Sequence, residues 1–127
     1  MMRGIKLKAW DKELERMCDV IYLDFSANEI IIYHKSEEER SNWLKLKRFI
    51  LLQSINSKDK NFKEIYEGFI VKIDYHSNLL EIKWHDKKMK WVATDGTFTI
   101  NLNKNECRNY VKVVGNKYEN PELIQNG

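Results

Sequence analysis

Between Lys58 and Lys72 the chain reads KDKNFKEIYEGFIVK, and this stretch limits the fold more than any other. Asp59, Lys60 and Asn61 are turn formers whose side chains bond their own backbone, so the apolar run before them has to stop there. Ile65 and Tyr66 resume an apolar pair. Gly68 then supplies a position that takes positive φ or lets backbone pass close to backbone. Phe69 to Ile73 is short, β-branched and apolar, as a strand buried on at least one face requires. A strand launched from a glycine bend suits a small β-barrel.

The flanking sequence repeats that grammar of short strands and tight turns. Ile5 to Trp10 alternates as IKLKAW, the pattern of a half-buried strand, and Asp11 to Glu15 is a charged turn. Met17 to Phe25 and Ile30 to His34 follow as strands joined through Ser26, Ala27, Asn28 and Glu29, which makes an amino-terminal meander. Ser36 and Glu39 in SEEER stand at capping-box spacing and predict a helical turn. Trp43 to Leu52 reads as a short helical turn followed by a strand, with helix throughout as the alternative. Beyond the central stretch, strands are predicted over Leu79 to Trp84, Met89 to Ala93, Thr97 to Leu102 and Tyr110 to Val114. Asn120 as a cap and Pro121 at the first helical position predict a closing helical turn.

The central stretch resembles the YopX family of bacteriophage and prophage proteins, whose usual wording there is KDKNGKEIYEGDIVK. Two further motifs resemble that family in the same order: IKLKAWDKELERM, Ile5 to Met17, and VVGNKYENPELI, Val113 to Ile124, which includes Gly115, Asn120 and Pro121. Phe62 stands where the family usually has glycine, and Phe69 where it usually has aspartate. Without that glycine, Asn61 is the residue expected to take the left-handed position. The expected fold is all-β or mostly β: an amino-terminal β-meander (residues 1–57) packed on a carboxyl-terminal SH3-like small barrel (residues 58–127), with one or two short helical turns.

Composition bounds the function. The chain has 127 residues, 43% of them hydrophobic and 15 aromatic, enough for one domain with a buried core. Its 22 basic and 19 acidic residues leave a net charge of +3, a weak pull toward nucleic acid or anionic lipid. No apolar run of membrane-spanning length occurs, and MMRGIKLKAW holds no signal-peptide core, which predicts a cytosolic protein without membrane contact. Cys18 and Cys107 lack a neighbouring cysteine or histidine at metal spacing, so buried thiols are expected, and no metal or cofactor.

Nucleotide, hydrolase and zinc-protease motifs are absent from the sequence. His34, His76 and His85 are the candidate bases. Only His85 has an acidic neighbour, Asp86, and adjacent strand residues face opposite ways. The Glu37, Glu38 and Glu39 run reads as a solvated face. These features predict a non-catalytic protein, and the family resemblance implies a phage or prophage accessory protein working by contact. Its expected partners are a second copy of itself or a phage or host protein, with uncovered strand edges as the motive for self-association. Trp10 and Trp43 are candidate anchors, although core packing is the stronger explanation for any one tryptophan in so small a chain. The alternative is nucleic-acid binding through KWHDKKMKW. There Lys83, Lys87, Lys88 and Lys90 suit phosphates, and Trp84 and Trp91 suit unpaired bases, unless the two tryptophans point inward.

Overall fold

Apolar alternation and turn chemistry together produce a chain that is half strand, and a computed structural model describes residues 6–124 of it. Backbone contacts divide it into two units inside one long strand, between Gln53 and Ser54.

In the amino-terminal unit, β1 (Leu7–Asp11), β2 (Arg16–Asp24) and β3 (Glu29–Tyr33) form an antiparallel meander, and the two-residue β4 (Leu44–Lys45) pairs with β3. A 3-10 turn over Leu46–Arg48 leads into β5 (Phe49–Lys58), whose first half pairs with β1. Ala9 lies opposite Cys18 on one side and Leu51 on the other. With side chains alternating across each strand, that register gathers Ala9, Cys18, Ile30, Ile32 and Phe49 into one core, edged by Val20, Leu23, Leu44, Leu46 and Leu51. Trp10 is buried too. The helical turn expected at SEEER does not form. Ser36 gives its backbone N–H and its hydroxyl to His34 Nδ1, at 3.1 and 2.6 Å, so the segment bends locally instead of opening a helix. Among the described residues the only helical turn before β5 is the one at Leu46–Arg48.

The carboxyl-terminal unit starts with the second half of β5, paired with β6 (Glu64–Tyr66). Then follow β7 (Phe69–Ile73), β8 (Leu80–His85), β9 (Lys90–Thr94), β10 (Thr99–Asn101), α1 (Lys104–Tyr110), β11 (Val111–Asn116) and a 3-10 turn over Pro121–Leu123. The last five strands make an antiparallel sheet in the order β10-β9-β8-β7-β11. Among the described residues no pairing joins β10 to β11. Helix α1 has no counterpart in the sequence reading. It is seven residues long with one buried side chain, Cys107, and depends on Asn103, whose side-chain oxygen accepts from the Glu106 amide at 2.8 Å. Cys18 and Cys107 are free and buried, and burial pushes the Cys107 thiol up to about 11.

Three hairpins share one loop geometry. β1–β2, β2–β3 and β8–β9 are each closed by four residues, the last of which is left-handed: Glu15 (φ 51°), Asn28 (φ 56°) and Met89 (φ 53°). Gly68 has φ 83° between β6 and β7, and a Cβ there would stand 3.2 Å from the Tyr118 ring. Its amide donates to the Ile82 carbonyl and its carbonyl accepts from the Lys117 amide.

The left-handed residue of the KDKN turn is Phe62 (φ 64°), not Asn61. The Asp59 carboxylate takes the amides of Asn61 and Lys63 and fixes the turn, which places the next residue in the strained region. The Arg108 guanidinium lies 3.7 Å from the centre of the Phe62 ring and offsets part of that strain. Phe62→Gly removes a strain of about 1–2 kcal/mol. It also loses a cation–π contact of about 0.5–1 kcal/mol and adds unfolded-state entropy. The expected result is a urea midpoint equivalent to within about 1 kcal/mol of the parent; a loss of several kcal/mol would contradict this balance.

Candidate functional site

The residues singled out in KWHDKKMKW converge on one place, the far end of the β8–β9 hairpin. Ile82 and Ala93 face each other in the core, both fully buried. Two residues further toward the loop, Trp84 and Trp91 form the next pair on the same face. They pair across the strands but do not point into a core, as the inward alternative required. The hairpin runs past its packing partners, so Trp84 is 40% exposed and Trp91 half-buried. Their rings meet edge to face at 5.2 Å and 72°, a favoured geometry that holds both in place.

Four lysines flank this pair in sequence, of which Lys83 and Lys90, next to Trp84 and Trp91 along their strands, point to the opposite face. Lys83 is on β8, Lys87 and Lys88 are in the loop, and Lys90 opens β9; all four are exposed. Lys83 lies 4.0 Å from Glu81, and Lys87, Lys88 and Lys90 have no ion pair among the described residues. The Lys88 amide donates to His85 Nδ1 at 3.2 Å, which ties the loop to the strand and occupies that ring nitrogen. An exposed aromatic pair beside the loop lysines Lys87 and Lys88 can stack on planar rings and neutralise phosphates.

The other residues picked from the sequence serve structure. Asp59 is buried, with Oδ1 accepting from Asn61 and Lys63 and Oδ2 from the Val113 amide at 2.8 Å. Asn120 bonds backward, accepting the Asn116 amide beside Gly115, and Pro121 opens the 3-10 turn. A Cβ on Gly115 would fall 2.5 Å from that Asn120 oxygen. Of the histidines, His34 is bound to Ser36, and His76 stacks on Phe98 at 4.0 Å with Nε2 3.8 Å from Asp95. Asp95 itself is held down to about 2, chiefly by the Phe98 and Thr97 amides. Glu37 pairs with Arg16 at 3.2 Å. Among the described residues no three His, Cys, Asp or Glu side chains come together as a metal set.

Sequence reasoning missed a buried ion pair in the amino-terminal unit. Asp11, fully buried, receives Arg48 Nε at 2.9 Å and Nη2 at 2.8 Å, and also the amides of Glu13 and Leu14. It named Trp43 as a candidate anchor but missed its exposed neighbour Tyr22, 6.5 Å away, with Arg40 over the Tyr22 ring. Nothing local marks a pair 37 residues apart; the WDKE wording indicates only that Asp11 begins a turn.

The profile of the family described as "YopX protein" matches residues 6–125. The fold is similar to a crystal structure of an Enterococcus faecalis protein, with 24% identity, TM-score 0.70, and 98% of this chain and 100% of that one covered. It is also similar to the crystal structure of protein yopX from Bacillus subtilis, with 17% identity, TM-score 0.56 and 99% of each chain covered. No curated protein matches.

Proposed function

The chain belongs to the YopX family, and from its surfaces we propose a function: an accessory protein that binds single-stranded nucleic acid through the β8–β9 hairpin. It acts by binding rather than catalysis, and its setting is the cytoplasm of a bacterium carrying the phage or prophage. The observation that supports this reading is the Trp84–Trp91 pair, partly exposed at the end of the hairpin whose loop carries Lys87 and Lys88, with Lys83 and Lys90 on its other face. The mild net charge is no obstacle, since four lysines against one acid, Asp86, concentrate positive charge at the tip.

Self-association through strand edges has less support. Edge strands β4, β6 and β10 have two, three and three residues, too short to template a partner. Edge strand β11 has its Val113 amide bound by the Asp59 carboxylate and its Val111 carbonyl by the Lys60 amide. The SH3-like barrel expected from sequence is likewise not needed, since the hairpin alone presents the surface.

The test is anisotropy of a labelled oligothymidylate titrated with the protein. Parent protein should bind with a salt slope near −3, from about −0.7 per neutralised phosphate on a single strand. Lys87→Glu/Lys88→Glu/Lys90→Glu should abolish binding and leave thermal unfolding unchanged. Trp84→Ala/Trp91→Ala should weaken it by at least tenfold, given stacking of about 1–3 kcal/mol per base. Unchanged affinity in the triple variant, or no binding by the parent at low salt, would sink the proposal. A protein or a second copy is the competing occupant, seen as a discrete added mass when the protein is purified at low salt and weighed by native mass spectrometry.

A further inference from the structure

The amino-terminal unit has a second surface with the opposite construction, a pocket instead of a projecting tip. Its volume is about 600 Å³, within the range of small-ligand sites, and it is open to solvent. Lys12 and Glu13 of the β1–β2 loop form one wall. Trp43, Leu44 and Lys45 form the second, and Lys47 and Arg48 of the 3-10 turn close it.

The charges in this pocket are unequal in availability. Arg48 is taken up by Asp11 through two hydrogen bonds, and its Nε also lies 3.6 Å from Glu13, so neither Arg48 nor Glu13 is free. Lys12, Lys45 and Lys47 have no ion pair among the described residues, and all three are exposed. The pocket therefore holds three ammonium groups outside any ion pair against one carboxylate, Glu13, which shares Arg48 with Asp11. Beside them stands Trp43, 47% exposed, a flat apolar face next to concentrated positive charge.

The mounting is stiff. Asp11 Oδ1 accepts the Glu13 amide at 3.0 Å and the Leu14 amide at 3.2 Å, and the Lys12 amide donates to the Arg48 carbonyl at 3.1 Å. Those bonds tie the loop bearing Lys12 to the turn bearing Lys47, so the backbone that carries the lysines needs little ordering before an anion arrives. Less conformational entropy is then lost on binding.

We infer that this pocket binds a small anion with a planar ring, of the nucleoside-polyphosphate class. Lys12, Lys45 and Lys47 hold the phosphates, and the ring lies on Trp43. Lysines as mobile point charges suit a polyphosphate of variable shape, and indole stacking is tolerant of which base is present.

The experiment uses the full chain carrying Lys87→Glu/Lys88→Glu/Lys90→Glu, so that the hairpin contributes nothing and the two proposals fail separately. Isothermal titration with ATP, inorganic tripolyphosphate and adenosine gives three affinities. ATP should bind most tightly, tripolyphosphate about tenfold more weakly, and adenosine not measurably. Trp43→Ala should bring ATP down to the tripolyphosphate value, Trp43→Phe should retain most of the difference, and Lys12→Glu/Lys47→Glu should abolish both. Because these side chains are exposed, thermal unfolding of each variant should match the parent. Equal affinity for ATP and tripolyphosphate, adenosine binding as tightly as ATP, ATP binding unaffected by Lys12→Glu/Lys47→Glu, or no binding at all would each overturn the assignment.

Discussion

Asp59→Ala is expected to cost the protein several kcal/mol of stability, about 2–5 kcal/mol. The Asp59 carboxylate is buried and holds three backbone amides: Asn61 and Lys63 in its own turn, and Val113 across the sheet. Arg108 also donates to its carbonyl at 2.6 Å, which brings α1 to the same point. The buried Val113 amide left unsatisfied costs about 1–3 kcal/mol, while Asn61 and Lys63 are exposed residues whose amides lose their acceptor but are within reach of water, so the total is a large share of the stability typical of a domain, about 5–15 kcal/mol. Asp59→Asn should fall between, because one side-chain oxygen still accepts while the new NH2 confronts one of the amides. The exposed Asp74, paired with Lys60 at 2.8 Å, is the control, and Asp74→Asn should cost no more than about 1 kcal/mol. Urea unfolding followed by circular dichroism measures all three. A loss under about 1 kcal/mol for Asp59→Ala would show that water replaces the carboxylate at every amide.

That residue also shows where sequence reading stops. Asp59 announces a turn through its own neighbours, Asn61 and Lys63, and its third bond, to Val113, spans 54 positions without any local sign. The strands were legible because β-branched and apolar residues alternate between turn formers, as at Thr99–Asn101 and Glu29–Tyr33. Helix α1 was not legible, since seven residues with one apolar contact carry no periodic stripe. Phe62 was misplaced because residue preference pointed to Asn61, whereas the hydrogen-bond geometry of the turn decides which residue goes left-handed. In the hairpin, composition identified the lysines and tryptophans but not their exposure, which depends on where the core ends beneath β8 and β9. Around Trp43 the basic run Lys45, Lys47 and Arg48 is legible in the sequence, but its approach to Lys12 and Glu13 depends on a buried ion pair between distant segments and is not.

Removing that ion pair has the second large effect. Burial pushes the Asp11 carboxyl up, but Arg48 and the Leu14 and Glu13 amides together outweigh it and hold the group below its ordinary value of 3.8. A depressed carboxyl stabilises the fold above its unfolded-state value, and the contribution disappears as pH falls through the folded one. Asp11→Asn is therefore expected to cost about 3 kcal/mol at neutral pH, within the range for breaking a buried pair by removing one partner and less than the maximum because Arg48 keeps some solvent contact. The gap between parent and variant should close as pH drops below 3.8. Arg48→Met should cost at least as much, since it leaves the fully buried carboxylate with only its amides and the more distant Arg16. Asp11→Leu/Arg48→Met should recover part of either loss, because an apolar pair carries no desolvation penalty. Urea midpoints for the four proteins across pH decide this, and a gap that stays constant from neutral pH to pH 3 would refute the ionic origin. The same bonds space Lys12 from Lys47, so a folded Asp11→Leu/Arg48→Met protein should have lost ATP affinity along with the frame, while its affinity for oligothymidylate at the hairpin stays unchanged.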